Sequence, residues 1–240
     1  MACSVTAYRN RILGMIYAHR GVQSSVLKNL RVPEHIRPGT AIDEADYVVV
    51  DTELTGLKLS KDSIVSIGAV KMKGGRIGIG EIFYRLVEPA TALTGESVVI
   101  HGITPSEVAE WPEIGVLLPE FIDFCNRCIL IGHFVSIDLH FVNREMKRLY
   151  GFPMQNPAID TFRIYSWLRK GRENTCAFHE GIKEDAALLT LAKKYGIHVS
   201  AAHNALDDAF VTAQLFQRFL AELPEMGVRT VGDLLRIGKP

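Results

Sequence analysis

Two acidic side chains follow directly on a short apolar run. Asp51 and Glu53 come after YVVV at residues 47–50, a run that is typical of a buried strand. Because side chains two apart on a strand point to the same face, both carboxylates should project together. Adjacent carboxylates raise each other's pKa unless a cation neutralises them, and oxygen ligands suit Mg²⁺ or Mn²⁺. From these two residues alone, a metal site and a solvated strand end are equally good interpretations.

Three further residues favour the metal site. Asp138 stands five residues after His133, at the start of a predicted helix, where an acid is otherwise a common N-cap or first-turn residue. His203 and Asp208 are also five apart, at the entry and in the first turns of the last long predicted helix. A histidine beside metal-binding carboxylates suits general-base chemistry, since its unperturbed pKa of about 6.5 lets it accept a proton near neutrality.

The elements that would position these residues follow an α/β order. Residues 46–86 contain three runs rich in Val and Ile, with Gly74 and Gly75 as a hairpin turn, which predicts three consecutive antiparallel strands. Further elements are predicted as a strand at 129–133, a helix ending at Gly151, a strand continuing into a helix at 158–168, and helices at 184–197 and 204–223. The order predicts a mixed sheet with flanking helices.

The last long helix should pack on this sheet. Apolar residues recur along it at helical spacing, which predicts one buried stripe. The stripe consists of Ala205, Ala209, Ala213, Phe216 and Leu220.

The chain divides by pattern into three parts. Residues 1–45 carry helical-looking pieces and a Pro-containing connector, so we expect an extension outside the catalytic core. Residues 46–222 form the expected catalytic domain, and 223–240 a tail that can form one short helix, TVGDLLR.

Composition excludes some classes of partner. Acidic and basic residues balance at 27 each, so a nucleic-acid partner must be gripped locally rather than by overall charge. No apolar run reaches the roughly 18 to 20 residues that a membrane-spanning helix needs. The apolar run at 12–18 lacks a small-residue cleavage pattern, so we do not expect secretion.

Cysteine usage points to the cytoplasm. Four cysteines in 240 residues are too few for a disulfide framework, which fits a reducing compartment. Cys125 and Cys128 form CNRC at the end of a predicted helix, without the second ligand pair of a zinc site. We expect structural thiols that are buried or half-buried.

The ordered motifs resemble those of the DEDDh 3′-5′ exonucleases. This family includes the proofreading epsilon subunit of bacterial DNA polymerase III, ribonuclease T and oligoribonuclease. The resemblance covers residues 46–222 and implies an α/β, ribonuclease-H-like mixed sheet with three leading antiparallel strands and flanking helices. The motifs that carry it are DTELTGL, IVSIGAVKMKGGRI, HGIT, GHFVSIDLHFVNREM, IDTFRI and HNALDDAFVTAQLF.

The resemblance also implies a catalytic set. The family's four acids match Asp51, Glu53, Asp138 and Asp208, and its histidine matches His203. Two divalent cations, Mg²⁺ or Mn²⁺, are expected between the acids, with Asp51 shared by both and His203 as the base. The implied product is a nucleoside 5′-monophosphate released from a 3′ end.

Substrate contacts follow from the same resemblance. Leu57 would wedge against the terminal base, while plain core packing is an equally good interpretation of this residue. The backbone from Thr52 to Leu54 would approach the terminal sugar, and His101 with Ile103 would line the nucleotide pocket. The expected partners are single-stranded DNA or RNA 3′ ends and, as one option, a DNA polymerase.

Three positions depart from the family's pattern. Phe134 stands where the second motif usually has Asn, and Ile137 stands where it usually has Phe. Leu54 replaces the Thr of many DNA-proofreading members. None of these changes removes a predicted metal ligand, so the choice between DNA and RNA stays open while catalysis is expected.

Two other readings compete with the exonuclease. A haloacid-dehalogenase-type phosphatase would need Asp at the second acidic position, where Glu53 stands, and would give His203 no role. A degenerate exonuclease fold could act as a binding module, with the altered second motif as its support. An intact set of four acids and a histidine argues against that module, because unneutralised carboxylates repel phosphates.

Overall fold

The computed structural model describes residues 22–173, 186–199 and 203–240, with residues 10, 12–14 and 17. The strands are β1 (Asp46–Leu54), β2 (Ile64–Lys73), β3 (Arg76–Leu86), β4 (Ile129–Gly132) and β5 (Ala158–Asp160). The helices are α1 (Ser24–Asn29), α2 (Val32–His35), α3 (Gly95–His101), α4 (Pro105–Val108), α5 (Ile114–Cys125), α6 (Ser136–Tyr150), α7 (Thr161–Glu173), α8 (Leu188–Lys194), α9 (Ala205–Glu222) and α10 (Val231–Ile237), with a 3₁₀ turn at Leu223–Met226.

The strands form one mixed sheet in the order β3-β2-β1-β4-β5. The first three strands are antiparallel, whereas β4 runs parallel to β1 and β5 parallel to β4. Gly74 turns the β2–β3 hairpin with φ +52°, a conformation that glycine adopts without strain. The predicted mixed sheet is therefore confirmed.

Both faces of the sheet are covered by helices, which explains the apolar run before Asp51. Tyr47 and Val49 pack into the layer of α7, α9 and α10, while Val48 and Val50 pack into the layer of α1, α5 and α6. All four side chains are buried. A central strand buried on both faces reads as a continuous apolar stretch rather than an alternation.

The flanking segments share this core. Val26 and Leu30 are buried against the layer of α5 and α6, and Leu223 and Leu234 are buried in the opposite layer. Thr230 forms an isolated antiparallel bridge with Ala41, which joins the two flanking segments. The division of the chain at 45 and 222 stays a prediction, but both segments contribute buried side chains to the layers that cover the sheet.

Most predicted helices are present. Helix α6 ends at Gly151, where φ is +75°, and every residue of the predicted stripe on α9 is buried. Pro105 begins α4, and Pro119 lies inside α5 without ending it. The buried face of α5 around Leu118 and Ile122 favours a continuous helix despite the lost hydrogen bond.

Helix α3 was not predicted. A capping box formed by Thr94 and Ser97 starts it, and Gly102 ends it with φ +72°. This short helix places His101 at its last position.

The CNRC cysteines are structural thiols, as expected. Cys125 and Cys128 are free and buried. Burial raises the pKa of the Cys128 thiol to about 11 and also raises the pKa of the Cys125 thiol. Both thiols are therefore protonated and unreactive at neutral pH.

Within the described ranges, no helix has both the length and the apolar character that spanning a bilayer requires.

Candidate active site

The carboxyl end of β1 brings side chains from both helix layers together. Asp51 and Glu53 point toward α9, and Asp208 of α9 meets them, with one carboxylate oxygen of each residue within 4.8 Å of the others. Thr52 points the opposite way, toward α6. A register shift between Glu53 and Leu54 ends the regular β1–β2 pairing at this point. Such irregularities re-aim side chains beside functional sites.

Asp138 reaches the same strand end from the other face of the sheet. It lies in the first turn of α6, is buried, and accepts a hydrogen bond of 2.5 Å from the Thr52 hydroxyl. Burial raises the pKa of the neighbouring Asp51, and the charge of Asp138 adds to this effect. The structure therefore gathers all four predicted acids, with Asp138 beside the three-carboxylate cluster of Asp51, Glu53 and Asp208.

The start of helix α9 fixes Asp208. Asn204 caps the helix by accepting from the backbone N–H groups of Leu206 and Asp207, at 3.0 and 3.3 Å. The backbone N–H of His203 donates to Oδ2 of Asp208 at 3.1 Å. Oδ1 of Asp208 is buried and has no hydrogen-bond partner among the described residues.

A glycine permits the close approach of α9 to the sheet. Gly68 pairs with Asp51 across the β1–β2 ladder. A Cβ atom added to Gly68 would lie 2.2 Å from the backbone carbonyl carbon of Ala205. Because glycine has no side chain, the first turn of α9 can lie directly against β2 at this point. This contact places Asp208 beside Asp51.

Burial and mutual repulsion disfavour ionisation of these acids. Burial raises the pKa of Glu53 to about 8, and the charges of Asp208 and Asp138 add to the effect. Burial raises the pKa of Asp138 to about 7 against the hydrogen bond from Thr52, which lowers it. The pKa of Asp51 moves well upward, and that of Asp208 also rises because of burial. A cluster of this kind favours a bound cation over free charges.

The donor set fits a hard divalent cation. The cluster offers carboxylate oxygens, and the buried Oδ1 of Asp208 lacks another partner among the described residues. Mg²⁺ and Mn²⁺ prefer such oxygen ligands.

His203 stands at the entry to α9, on the same side as Asp208. It is exposed and adopts a left-handed backbone conformation with φ +65°. A residue with this φ and a side chain other than glycine is uncommon and occurs often at functional sites. His203 is thus joined to Asp208 through its backbone, and its side chain is open to solvent.

The family model "RNase_T: Exonuclease" matches residues 48–216, which is more than half of the chain. The chain belongs to the exonuclease family. The resemblance found in the motifs is thus confirmed at the level of the family.

Two relatives extend the match beyond the family model. The DNA polymerase III subunit epsilon of Aquifex aeolicus is 32% identical over 196 residues, covering 82% of this chain and 88% of that protein. The PolC-type DNA polymerase III of Thermotoga maritima is 29% identical over 218 residues, covering 90% of this chain. The chain spans only 15% of the length of that PolC-type relative.

The fold of this exonuclease-family chain also has a counterpart among solved structures. Exonuclease I of E. coli in complex with a dT13 oligonucleotide superimposes with a TM-score of 0.65 at 19% identity, covering 77% of this chain and 43% of that chain. The agreement confirms the predicted ribonuclease-H-like arrangement of sheet and helices.

The predicted substrate contacts of this exonuclease-family chain differ in exposure. Leu57 is 71% exposed and Leu54 is half-buried, whereas His101 and Ile103 are buried. The Ile103 N–H donates to His101 Nδ1 at 3.1 Å. Burial, together with the charge of His203, lowers the pKa of His101. His101 is therefore neutral at physiological pH and lies near the predicted base.

Several positioning residues escaped the sequence reasoning. Only the backbone of Thr52 was expected to take part, as a contact to the terminal sugar. In the structure its hydroxyl also orients Asp138. Asn204 caps α9 and also donates to the Tyr84 hydroxyl at 3.4 Å. An Asn before a helical run is a sequence signal for a cap, but the approach of Gly68 to Ala205 has no local signal.

Asp160 caps the start of α7. Its Oδ1 accepts from the backbone N–H groups of Phe162 and Phe134, at 2.9 and 3.0 Å. Both bonds bind the start of α7 to the end of β4. The residue thus supports the edge of the sheet on which the acids stand.

Proposed function

We propose that this chain is a metal-dependent 3′-5′ exonuclease that releases nucleoside 5′-monophosphates from the 3′ ends of single-stranded nucleic acid. The proposal rests mainly on the cluster of Asp51, Glu53 and Asp208 at one edge of the sheet. One carboxylate oxygen of each residue lies within 4.8 Å of the others, and Asp138 is buried beside them. Membership of the exonuclease family supports the same chemistry.

The acids are proposed to hold two divalent cations, Mg²⁺ or Mn²⁺. Asp51 would be shared, Glu53 and Asp208 would complete one site, and Asp138 would support the other. When bound, such a pair of cations supplies an activated water and stabilises the charge on the leaving 3′ oxygen. Thr52 contributes by holding the Asp138 carboxylate through its hydroxyl.

His203 is proposed to accept the proton of the attacking water. Its side chain is exposed at the start of α9, and its own backbone N–H fixes Oδ2 of Asp208. A neutral imidazole can take a proton near pH 7 and pass it to solvent. The exposed position suits this second step.

The substrate is proposed to enter along Leu57. The exposed Leu57 side chain would press against the terminal base, the backbone from Thr52 to Leu54 would contact the terminal sugar, and His101 with Ile103 would border the nucleotide pocket. DNA is the first choice because the relatives are named as DNA polymerase III components. RNA or short oligoribonucleotides are the alternative, supported by Leu54.

The cellular setting is also a proposal. A DNA polymerase is a partner that the names of the relatives support. The free thiols of Cys125 and Cys128 fit a reducing cytoplasm.

A labelled-strand assay tests the proposal. Single-stranded DNA and RNA carrying a 5′ label are incubated with the protein and Mn²⁺ or Mg²⁺, beside EDTA and Asp208→Ala controls. Asp123→Asn, at an exposed acid on α5, serves as the matched control that should remain active. A ladder that shortens stepwise from the 3′ end and vanishes with EDTA and in Asp208→Ala is the expected result.

Two outcomes would contradict the proposal. Degradation that continues unchanged in EDTA would contradict the metal-dependent mechanism. Intact DNA and RNA with tight single-strand binding would favour the binding module, for which Phe134 and Ile137 are the supporting residues.

A further inference from the structure

Two phenylalanine rings form an aromatic surface at the edge of the sheet. Phe134 follows β4 and Phe162 lies in the first turn of α7, with ring centroids 4.7 Å apart and planes inclined by 35°. We call Phe134 and Phe162 the aromatic pair. Phe134 is 37% exposed, and its ring also lies 4.6 Å from the ring of His133, which it meets nearly edge-on.

The aromatic pair stands at the same sheet edge as the acids. Strands β4 and β5 run parallel to β1, so their carboxyl ends meet the edge where Asp51 lies. The backbone N–H groups of Phe134 and Phe162 both donate to Oδ1 of Asp160, at 3.0 and 2.9 Å. One carboxylate therefore holds the backbones of both residues at the end of the sheet.

The backbone conformation at Phe134 does not explain why a phenylalanine stands there. Its φ is +55°, in the left-handed region where asparagine is favoured and bulky side chains are rare. An exposed aromatic ring also contributes less burial than one in the core. A strained, exposed ring at the edge of a proposed active site points to contact with a ligand.

The ring lies on the side of the acids away from the proposed terminal-nucleotide pocket. Ile103 packs against Val65 of β2, whereas Phe134 follows β4, and β1 runs between β2 and β4. A strand whose terminal nucleotide occupied the β2 side would place an earlier nucleotide toward β4.

We propose that the aromatic pair stacks on a base upstream of the 3′-terminal nucleotide. The inference rests on the proposed exonuclease function and names how the strand is held. Nucleobases present a flat π face to such rings irrespective of sequence, so the contact would grip the strand without selecting a base. Local stacking suits a chain whose acidic and basic residues balance at 27 each.

Three variants isolate the ring. Phe134→Asn removes it and should fold well, because asparagine suits the left-handed backbone. Phe134→Tyr keeps the ring and should behave like the wild type. Phe124→Leu is the matched control, since Phe124 packs beside Lys71 and Phe83, and Lys71 pairs with Val48 toward the other end of β1.

The measurement is binding of short single-stranded DNA by fluorescence anisotropy in Ca²⁺, with a gel to verify that the strand stays intact. One abasic site is placed at the first, second or third nucleotide from the 3′ end. In the wild type, an abasic site at the second or third nucleotide should weaken binding about five- to tenfold. Phe134→Asn should reduce that difference to below about twofold, leaving the effect at the terminal nucleotide unchanged.

The remaining outcomes overturn the proposal. They are an unchanged dependence on the second and third nucleotides in Phe134→Asn, a change confined to the terminal nucleotide, the same change in Phe124→Leu, or no binding by the wild type. A parallel degradation assay in Mn²⁺ separates the two proposals. Binding with the expected pattern but without degradation would contradict the exonuclease alone, whereas degradation without the pattern would contradict the stacking alone.

Discussion

The backbone N–H of His203 donates to Oδ2 of Asp208 at 3.1 Å, which couples the proposed base to a proposed ligand. The bond leaves Oδ1 of Asp208 unpartnered among the described residues and turned inward. One carboxylate thus anchors the entry of α9 with one oxygen and presents the other to the cluster.

Removal of the shared carboxylate should abolish cation binding. In the wild type, Mn²⁺ at about 100 times its Kd should stabilise the fold by about 2.7 kcal/mol through ligand linkage. Asp51→Asn should show no such rise in melting temperature, because Asp51 is proposed to serve both cations. Differential scanning fluorimetry with and without Mn²⁺ checks this, with Asp123→Asn as the control that keeps the rise. An equal rise in Asp51→Asn would contradict the assigned site.

Stability without cations should fall as pH rises toward 8. Burial raises the pKa of Glu53 from its ordinary value to about 8 and that of Asp138 to about 7, so the folded state binds more protons than the unfolded state above about pH 4. Each group therefore destabilises the fold as pH rises through that window. In EDTA, Glu53→Gln should be more stable than the wild type at pH 8, and this advantage should shrink at pH 5.

Urea unfolding at the two pH values measures that difference. Saturating Mn²⁺ should reverse the order at pH 8, because the wild type gains the cations and the variant loses a ligand. If the free energy of unfolding in EDTA at pH 8 were larger for the wild type than for Glu53→Gln, the carboxylates would not repel each other in the folded state.

Loss of the imidazole should slow turnover and spare the cations. His203→Ala should lower kcat by about 10²- to 10⁴-fold, the usual contribution of a general base. The rise in melting temperature with Mn²⁺ should stay close to that of the wild type. Single-turnover degradation rates and thermal shifts on the same preparation test this, and parallel loss of both would assign His203 a structural or ligand role.

A methyl group at Gly68 should separate the two halves of the site. Gly68→Ala would place Cβ 2.2 Å from the Ala205 backbone, so α9 must move and take Asp208 with it. Overpacking of this kind costs about 1 to 3 kcal/mol. We expect lower stability together with lost activity and a lost response to Mn²⁺.

Gly80→Ala provides the comparison for Gly68→Ala. Gly80 lies on β3, and a Cβ there has no heavy atom within 4 Å. Chemical denaturation and degradation assays should find this variant close to the wild type. If Gly68→Ala were equally harmless, the close contact between β2 and α9 would not position the ligands.

Truncation of the proposed wedge should impair substrate handling without unfolding. Leu57 is 71% exposed, so Leu57→Ala should change stability by less than about 0.5 kcal/mol. We expect weaker binding of single-stranded 3′ ends and slower degradation. Ile79→Ala, at an 80% exposed residue on β3, is the matched control. Equal degradation rates for Leu57→Ala and Ile79→Ala would contradict the proposed contact between Leu57 and the terminal base.

The sequence was most informative where chemistry and periodicity coincide. A two-residue period placed Asp51 and Glu53 on one face, and the helical pattern placed Asp138 and Asp208 in the first turns of helices. Tertiary relationships left no comparable signal. Thr52 and Asp138 are 86 positions apart, and their hydrogen bond depends on how α6 docks against β1.

The flanking segments show the same limit. Val26 and Leu234 belong to regions that the pattern assigned to an extension and a tail, yet both are buried in the core. Short amphipathic pieces do not reveal from sequence which surface they will cover. Likewise, α3 was missed because a seven-residue helix begun by a cap carries little periodicity.

The contact between Gly68 and Ala205 makes the width of the acidic site a main-chain dimension. Two backbones in contact cannot be brought closer by repacking, and a larger side chain at Gly68 forces them apart in one step. Substitutions elsewhere can change the charge of the site, the contact made by Leu57 or the stacking by Phe134 in small steps. The distance between β2 and α9 cannot be changed in small steps, because the smallest side chain at Gly68 already collides with α9. The residue without a side chain therefore sets the distance between the proposed ligands of β1 and the proposed ligand of α9.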